Sequence, residues 1–329
     1  MIQTMVSSAS RRRGDVLLAE IAAFDRRAPR WQALFLAASF LAASVLLLSA
    51  GCALNKAKVH DDTLSARQLS LEGIDARQRG QLNRAETLLS QATELCPVDE
   101  RIRSQYAETL WQSGQQEQAV AHMEKAVRLS GGRIDFVVRL GEMYLEQGKL
   151  DQAAAQADAA TQKSPQLAAA WALRGDVLRA QGNSAESLAS FHRAMSLQPH
   201  YPHAQLAVAD IYRHAGRPAR ALATLRTLAD AYPPGETPQQ VLLLQGLALK
   251  ELHRYDASAK LLVDAAQQGE SSPELLLHLA ETQWLAGDPV NARLTVQNAL
   301  SDSPALEQNQ KVTADLLSLQ RRLSGVSRY

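Results

Sequence analysis

Glycine recurs at 34-residue intervals along most of this chain, at Gly80, Gly114, Gly148, Gly182 and Gly216, and then, after a three-residue insertion, His253 and Gly287 continue the series. Each of these positions closes a segment whose apolar residues repeat at helical spacing. A second series of small residues keeps the same period: Gly73, Ala107, Gly141, Gly175, Ala209, Gly246 and Ala280. A glycine inside a helix costs roughly 1 kcal/mol relative to alanine, so its recurrence marks one packing contact made again and again.

Three more series complete the cycle. Ala85, Ala119, Ala153, Ser187, Ala221, Ser258 and Ala292 follow twelve residues after the inner small residue, and Ala92, Ala126, Ala160, Ala194, Leu228, Ala265 and Ala299 follow seven further on. Pro97, Gly131, Pro165, Pro199, Pro233, Glu270 and Pro304 close it, mostly with residues that stop a helix. Each period therefore holds two apolar-periodic segments, which read as two antiparallel helices joined by a short turn. Small residues let the two backbones approach. Larger groups such as Tyr144, Leu150, Trp171, Leu178 and Phe191 fill the space around them.

The clearest single period is AWALRGDVLRAQGNSAESLASFHRAMSLQP. It resembles the tetratricopeptide (TPR) repeat, whose pattern places W, L, G and Y in the first helix and A, F, A and P in the second. Seven repeats follow, at 66–99, 100–133, 134–167, 168–201, 202–235, 239–272 and 273–306. The resemblance implies an all-α fold, a right-handed TPR superhelix or α-solenoid of about seven helix pairs. Departures at Gly131, Leu228, His253 and Glu270 lead to the expectation that repeats five and six are kinked or loosened near PPGETP, residues 233–238. Residues 307–324 carry Val312, Leu316, Leu319 and Leu323 at helical spacing, which suits a terminal capping helix within 307–329.

The N-terminus is of another kind. Residues 31–50, WQALFLAASFLAASVLLLSA, hold no charge and are long enough to cross a bilayer as a helix. Arg11, Arg12, Arg13, Arg26, Arg27 and Arg30 precede them in a basic leader, 1–30, which favours a cytoplasmic N-terminus with the repeats on the far side. SAGC follows directly, closing the signal or membrane segment 31–52, and resembles the lipobox of bacterial lipoproteins; that resemblance implies acylation of Cys52. Ser49 stands where the motif usually has an aliphatic residue, and the leader is long for a secretory signal, so an uncleaved anchor at 31–50 is the alternative. A twin-arginine signal at SRRRGD matches poorly. Residues 14–30 read as an unstructured leader or, through Val16, Leu17, Ile21 and Phe24, a short amphipathic helix on the cytoplasmic face. Residues 53–65 read as a flexible tether, and the expected location is the extracytoplasmic side of a bacterial membrane.

Charge narrows the partners. The chain has 35 Lys and Arg against 34 Asp and Glu; beyond residue 51 the counts are 29 and 31, a balance of −2. Nothing in that points to nucleic acid. With Cys52 lipidated, Cys96 has no pairing partner, so no disulfide framework exists. His60, Asp61 and Asp62 in the tether, and His200 and His203, which read as exposed loop residues flanking the turn between repeats four and five, form no spaced metal set; no metal or cofactor is expected. Motifs for nucleophilic, phosphate-binding or zinc chemistry are absent, so the chain reads as a binding protein and not an enzyme.

The TPR resemblance also places the second, fifth, ninth, twelfth and thirteenth residues of each repeat on the concave surface. The ninth carries Ile74, Glu108, Glu142, Asp176, Asp210, Leu247 and Glu281; the twelfth carries Arg77, Trp111, Leu145, Arg179, Arg213, Lys250 and Trp284. An acidic row beside arginines, with a tryptophan toward each end, suits a peptide or partner helix, since aromatic and Arg side chains dominate binding energy. The same charges, three residues apart, equally suit ion pairs along each helix. The candidate groove is thus Glu108, Trp111, Glu142, Leu145, Asp176, Arg179, Asp210, Arg213, Glu281 and Trp284. The carboxylate clamp of chaperone-binding TPR domains and the asparagine ladder of glycosyltransferase TPRs are both missing. The expected role is a membrane-anchored scaffold for protein or peptide segments of the envelope; self-association into an envelope layer, or service as an accessory subunit of a pilus, secretion or outer-membrane assembly complex, are the alternatives.

Overall fold

The computed structural model describes residues 61–269, 271–301 and 309–325, and among these all regular structure is helical. The leader, the apolar run 31–50 and Cys52 lie outside the described residues. Among the described residues no helix is long and apolar enough to cross a membrane.

The chain divides into two compact units, Met1–Ser113 and Gly114–Tyr329, so the boundary falls at the turn inside repeat two. The first unit contains α1 (61–78), α2 (Leu82–Leu95) and α3 (Glu100–Gln112). Residues 61–65, expected to belong to the tether, are already helical, so the first repeat is preceded by at least one more turn of helix. Asp61 and Asp62 stand in that turn, and His60 lies outside the described residues. Ala66, Ala92 and Ile102 form the small core that joins the three helices, with Leu69 and Cys96 against it. Asp99 caps α3, its Oδ1 accepting from the amides of Arg101 and Ile102.

The second unit holds α4 (Gln116–Leu129), α5 (Ile134–Glu146), α6 (Leu150–Lys163), α7 (Ala168–Ala180), α8 (Ser184–Leu197), α9 (Pro202–His214) and α10 (Pro218–Ala229). It continues with α11 (Gln239–Glu251), α12 (Tyr255–Gln267), α13 (Pro273–Leu285), α14 (Pro289–Ser301) and α15 (Gln310–Gly325). Each helix packs on the next, and the first helices of successive repeats, α5, α7, α9, α11 and α13, also touch one another in order. Successive first helices therefore make one continuous face.

The small-residue series does what its recurrence implies. A Cβ at Gly175 would lie 2.8 Å from the Phe191 ring, and one at Gly246 would lie 2.7 Å from Leu262. The same two repeats explain why serine interrupts the alanine series: Ser187 Oγ donates to the Gly175 carbonyl, and Ser258 Oγ donates to that of Gly246, each at 2.7 Å in the core. The second glycine series ends the first helices. Gly182 has φ of +83°, and the amide of Asn183 reaches back to the Leu178 carbonyl at 2.8 Å, the terminal hydrogen bond a left-handed residue permits. His253, the exception in the sequence, takes the same conformation with φ of +57° and the same reach-back from Arg254 to Leu249.

The insertion at 233–238 does not loosen the stack. Glu236 closes a turn onto the Pro233 carbonyl, and Gln268 donates to the Gly235 carbonyl. Beneath it, Leu222, Leu225 and Leu228 of α10 pack with Val241, Ala248 and Leu249 of α11 in one cluster, while Gln245 donates to the Leu225 carbonyl at 3.0 Å. Leu228 fills with its own bulk the place alanine takes elsewhere. At the far end Val312, Leu316, Leu319 and Leu323 of α15 are all buried against Leu276, Leu277, Ala280, Ala292, Val296 and Ala299. The expected cap is a helix, and it closes the last repeat.

Candidate interaction face

The residues singled out from the sequence divide between the two units. In the first, Arg77 Nη2 donates to Gln105 Oε1 at 2.7 Å, tying α1 to α3, and burial lowers the guanidinium's affinity for its proton while Glu108 raises it. Glu108 and Trp111 stand on α3, both half-buried.

In the second unit Asp176, Arg179, Asp210, Arg213 and Glu281 form a cross-linked row along the first helices. Arg179 Nη2 donates to Asp176 Oδ1 at 3.1 Å within α7 and approaches Asp210 Oδ2 of α9 at 4.0 Å. Arg213 on α9 repeats the arrangement, donating to Asp210 Oδ1 at 3.3 Å and to Glu251 Oε1 of α11 at 2.8 Å. Lys250 of α11 then donates to Glu281 of α13. Arg179 and Arg213 thus serve two acids each, one in their own helix and one in the next repeat, while Lys250 serves the acid of the next repeat. Such pairs are worth a few tenths of a kcal/mol when exposed, but here they recur at successive repeat boundaries.

Burial differs along the row. The Asp176 side chain is 12% exposed and that of Arg179 is 44% exposed, so the acid lies at the base and the guanidinium faces outward. His278 stands 3.8 Å from Glu281, too far for a hydrogen bond but close enough for its charge to act. His278, then Lys250, hold the Glu281 carboxyl down to about 2 against the opposing effect of burial. Glu142 is paired with Arg139, whose Nη1 lies 3.2 Å from its Oε2 and also 3.4 Å from Glu146 Oε1. Leu145 is half-buried on the same helix.

One expectation needs correction. His203 is no loop residue: it is the second residue of α9, and its Nε2 lies 2.6 Å from Asp176 Oδ2 of the preceding repeat. The second position of the repeat is itself one that the resemblance assigns to the groove, and that was the signal available for it. Trp284, half-buried, packs against the α15 core cluster, with Arg322 of the cap 5.9 Å over its ring. Glu251, Lys250, Arg139 and His278 complete the row but were not among the candidate residues; the first two occupy groove positions, the others do not. Among the described residues no three His, Cys, Asp or Glu side chains converge as a metal set.

Comparison with known proteins agrees with this geometry. The family profile described as Tetratricopeptide repeat matches residues 70–134, 172–236 and 243–307, and a second profile of the same description matches 110–177. Among solved structures, a tetratricopeptide repeat protein from Parabacteroides merdae is 15% identical with a TM-score of 0.60, covering 78% of this chain and 99% of its own. The pilF protein of Pseudomonas aeruginosa is 18% identical with a TM-score of 0.56, covering 68% and 98% respectively. No curated protein matches. Proteins of this kind generally mediate protein–protein interactions through their stacked helix pairs. With the period, the helix pairs and the profile matches in accord over most of its length, the chain belongs to the tetratricopeptide repeat family.

Proposed function

We propose that this protein is a non-enzymatic scaffold, tethered to a membrane through its N-terminal segment, that holds extended or helical segments of partner proteins on the face formed by α5, α7, α9, α11 and α13. One observation carries the binding reading. The side chains along that face are tied across repeat boundaries, from Asp176 through Arg179, Asp210 and Arg213 to Glu251, so a partner meets a polar platform already ordered before it arrives. Preorganisation lowers the entropy lost on binding, and a tether raises local concentration without new chemistry. The apolar run 31–50 behind a basic leader, with the lipobox-like SAGC, supports an extracytoplasmic membrane location with lipid on Cys52.

The test places a photo-crosslinking amino acid at Arg179, on the first-helix face, or at the exposed Ala189 of α8, in the full chain in its own cell. Adducts at position 179 and none at 189 are expected. Adducts at 189 alone would move the binding surface to the second helices. Metabolic acyl labelling tests the anchor separately: incorporation is expected in the native chain and lost in Cys52→Ser, and label that survives the substitution defeats the lipidation reading.

A further inference from the structure

Among the described residues, His203, His214 and His278 stand beside acids of the first-helix face, and the His203 contact joins two repeats. His214 lies 3.2 Å from Asp210, four residues earlier in the same helix, and His278 is three residues from Glu281 in its own helix. His203 of repeat five reaches back to Asp176 of repeat four. His192 also crosses to the next repeat, to the Tyr212 hydroxyl at 3.2 Å, a partner that carries no charge.

The surroundings of His203 come from several elements. Asp176 and Arg179 face it from α7, Glu142 acts on it from α5, and the Phe191 ring of α8 stands edge-on at 6.2 Å. Tyr201, just before α9, stands edge-on at the same distance. Asp210 lies two turns further along α9 and shares Arg179. Burial, then Glu142 and Asp176, push the Tyr201 phenol up, so it stays neutral wherever histidine titrates. Acids therefore outnumber cations around a half-exposed imidazole that meets two aromatic rings edge-on and a carboxylate 12% exposed.

We propose that the contact between α7 and α9 is a proton-operated joint: with His203 charged, imidazolium and Asp176 clamp repeat five onto repeat four, and with it neutral the clamp reduces to an ordinary hydrogen bond. A charge-assisted bond is about twice as strong as a neutral one. The direction follows from linkage. Hydrogen bonding to Asp176 raises the His203 pKa above its usual 6.5, outweighing burial. A raised histidine contributes stability that is fully present below its unfolded value of about 6.5 and is lost as pH rises through the folded value. The joint tightens on acidification, and the platform that spans repeats four and five stiffens with it. Its effect on partner binding rests on the proposed interaction face; the joint itself does not.

Hydrogen exchange on the full-length chain between pH 5.5 and 8.5, corrected for the intrinsic pH dependence of amide exchange, reads the joint without any partner. Protection in α7 and α9 is expected to fall about 3- to 10-fold across the His203 titration, with the histidine-free α14 and α15 unchanged, and His203→Gln is expected to abolish that dependence. Asp176→Asn, which keeps the shape and removes the charge, serves as the second variant and is expected to do the same. A pH-dependent loss retained in either variant, or a histidine-selective NMR titration of His203 that proceeds while protection stays flat, overturns the proposal. Because no partner is present, failure here leaves the crosslinking result standing, and the converse also holds.

Discussion

Two glycines seven residues apart in α7 and its end act through different physics. Gly175 is a matter of space: the 2.8 Å between a would-be Cβ and Phe191 leaves no room. Gly182 is a matter of backbone, with φ of +83° and nothing within 4 Å of the added carbon. Gly175→Ala is expected to destabilise the fold by about 1–2 kcal/mol after the gain in helix propensity, and Gly182→Ala by about 1 kcal/mol through left-handed strain. Urea unfolding separates them, because Phe191→Leu is expected to rescue only the first; rescue of both would refute the distinction. Glu281 gives the pH prediction at this scale. A carboxyl held down to about 2 contributes stability that is present above its unfolded value of about 4.5 and is lost as pH falls through the folded value. The urea midpoint of the native chain is expected to drop between pH 5 and pH 2.5 by more than that of Glu281→Gln, and equal drops would show that the pairing with Lys250 and His278 carries no stability. Both kinds of glycine were legible in the sequence, because their recurrence gave each a fixed place. The lowered pKa of Glu281 was legible only in part: His278 stands three residues before it, but Lys250 lies 31 residues away.

Among the helices, α15 has the most to show. Its four apolar residues sit on one stripe, and the stripe was readable because helical periodicity is a local property. Leu316 is fully buried in the cluster that α15 shares with α13 and α14. Leu316→Ala is expected to destabilise by about 2–5 kcal/mol, the range for emptying a buried leucine site, measured by chemical denaturation followed by circular dichroism. A loss under about 0.5 kcal/mol, the range of ordinary surface substitutions, would mean that the helix only rests on the last repeat. The turn before α11 teaches the reverse lesson. Proline, proline and glycine in an insertion suggest a break, yet Gln245 donates across it to Leu225, Gln268 donates into it at Gly235, and Gln239 just after it donates to Ala265 of α12. Glutamine is common on any helix surface, so its sequence carries no sign of which carbonyl it will find.

For the molecule as a whole, stability in stacked repeats is a sum of neighbour terms, so damage stays local. Hydrogen exchange in Leu316→Ala is expected to rise in α13, α14 and α15 and to stay at native levels in α5 through α8. A uniform rise through the second unit would show a single cooperative block in place of a chain of neighbours. The same locality accounts for the arrangement of charge. Arg179 and Arg213 each have an acidic ninth residue three positions before them and another acid in the following repeat, so the row propagates from one first helix to the next.

The sequence by itself determined the class of fold, the turn glycines and the cap, because each is written in spacings of three, four or 34 residues along one chain. Only the tertiary structure decided that His203 serves Asp176, that Trp284 belongs to the cap, and that the acids of the row are already paired. Those contacts join residues from 27 to 38 positions apart, and side-chain reach across a packed helix boundary is set by how the repeats settle together, which no periodicity records.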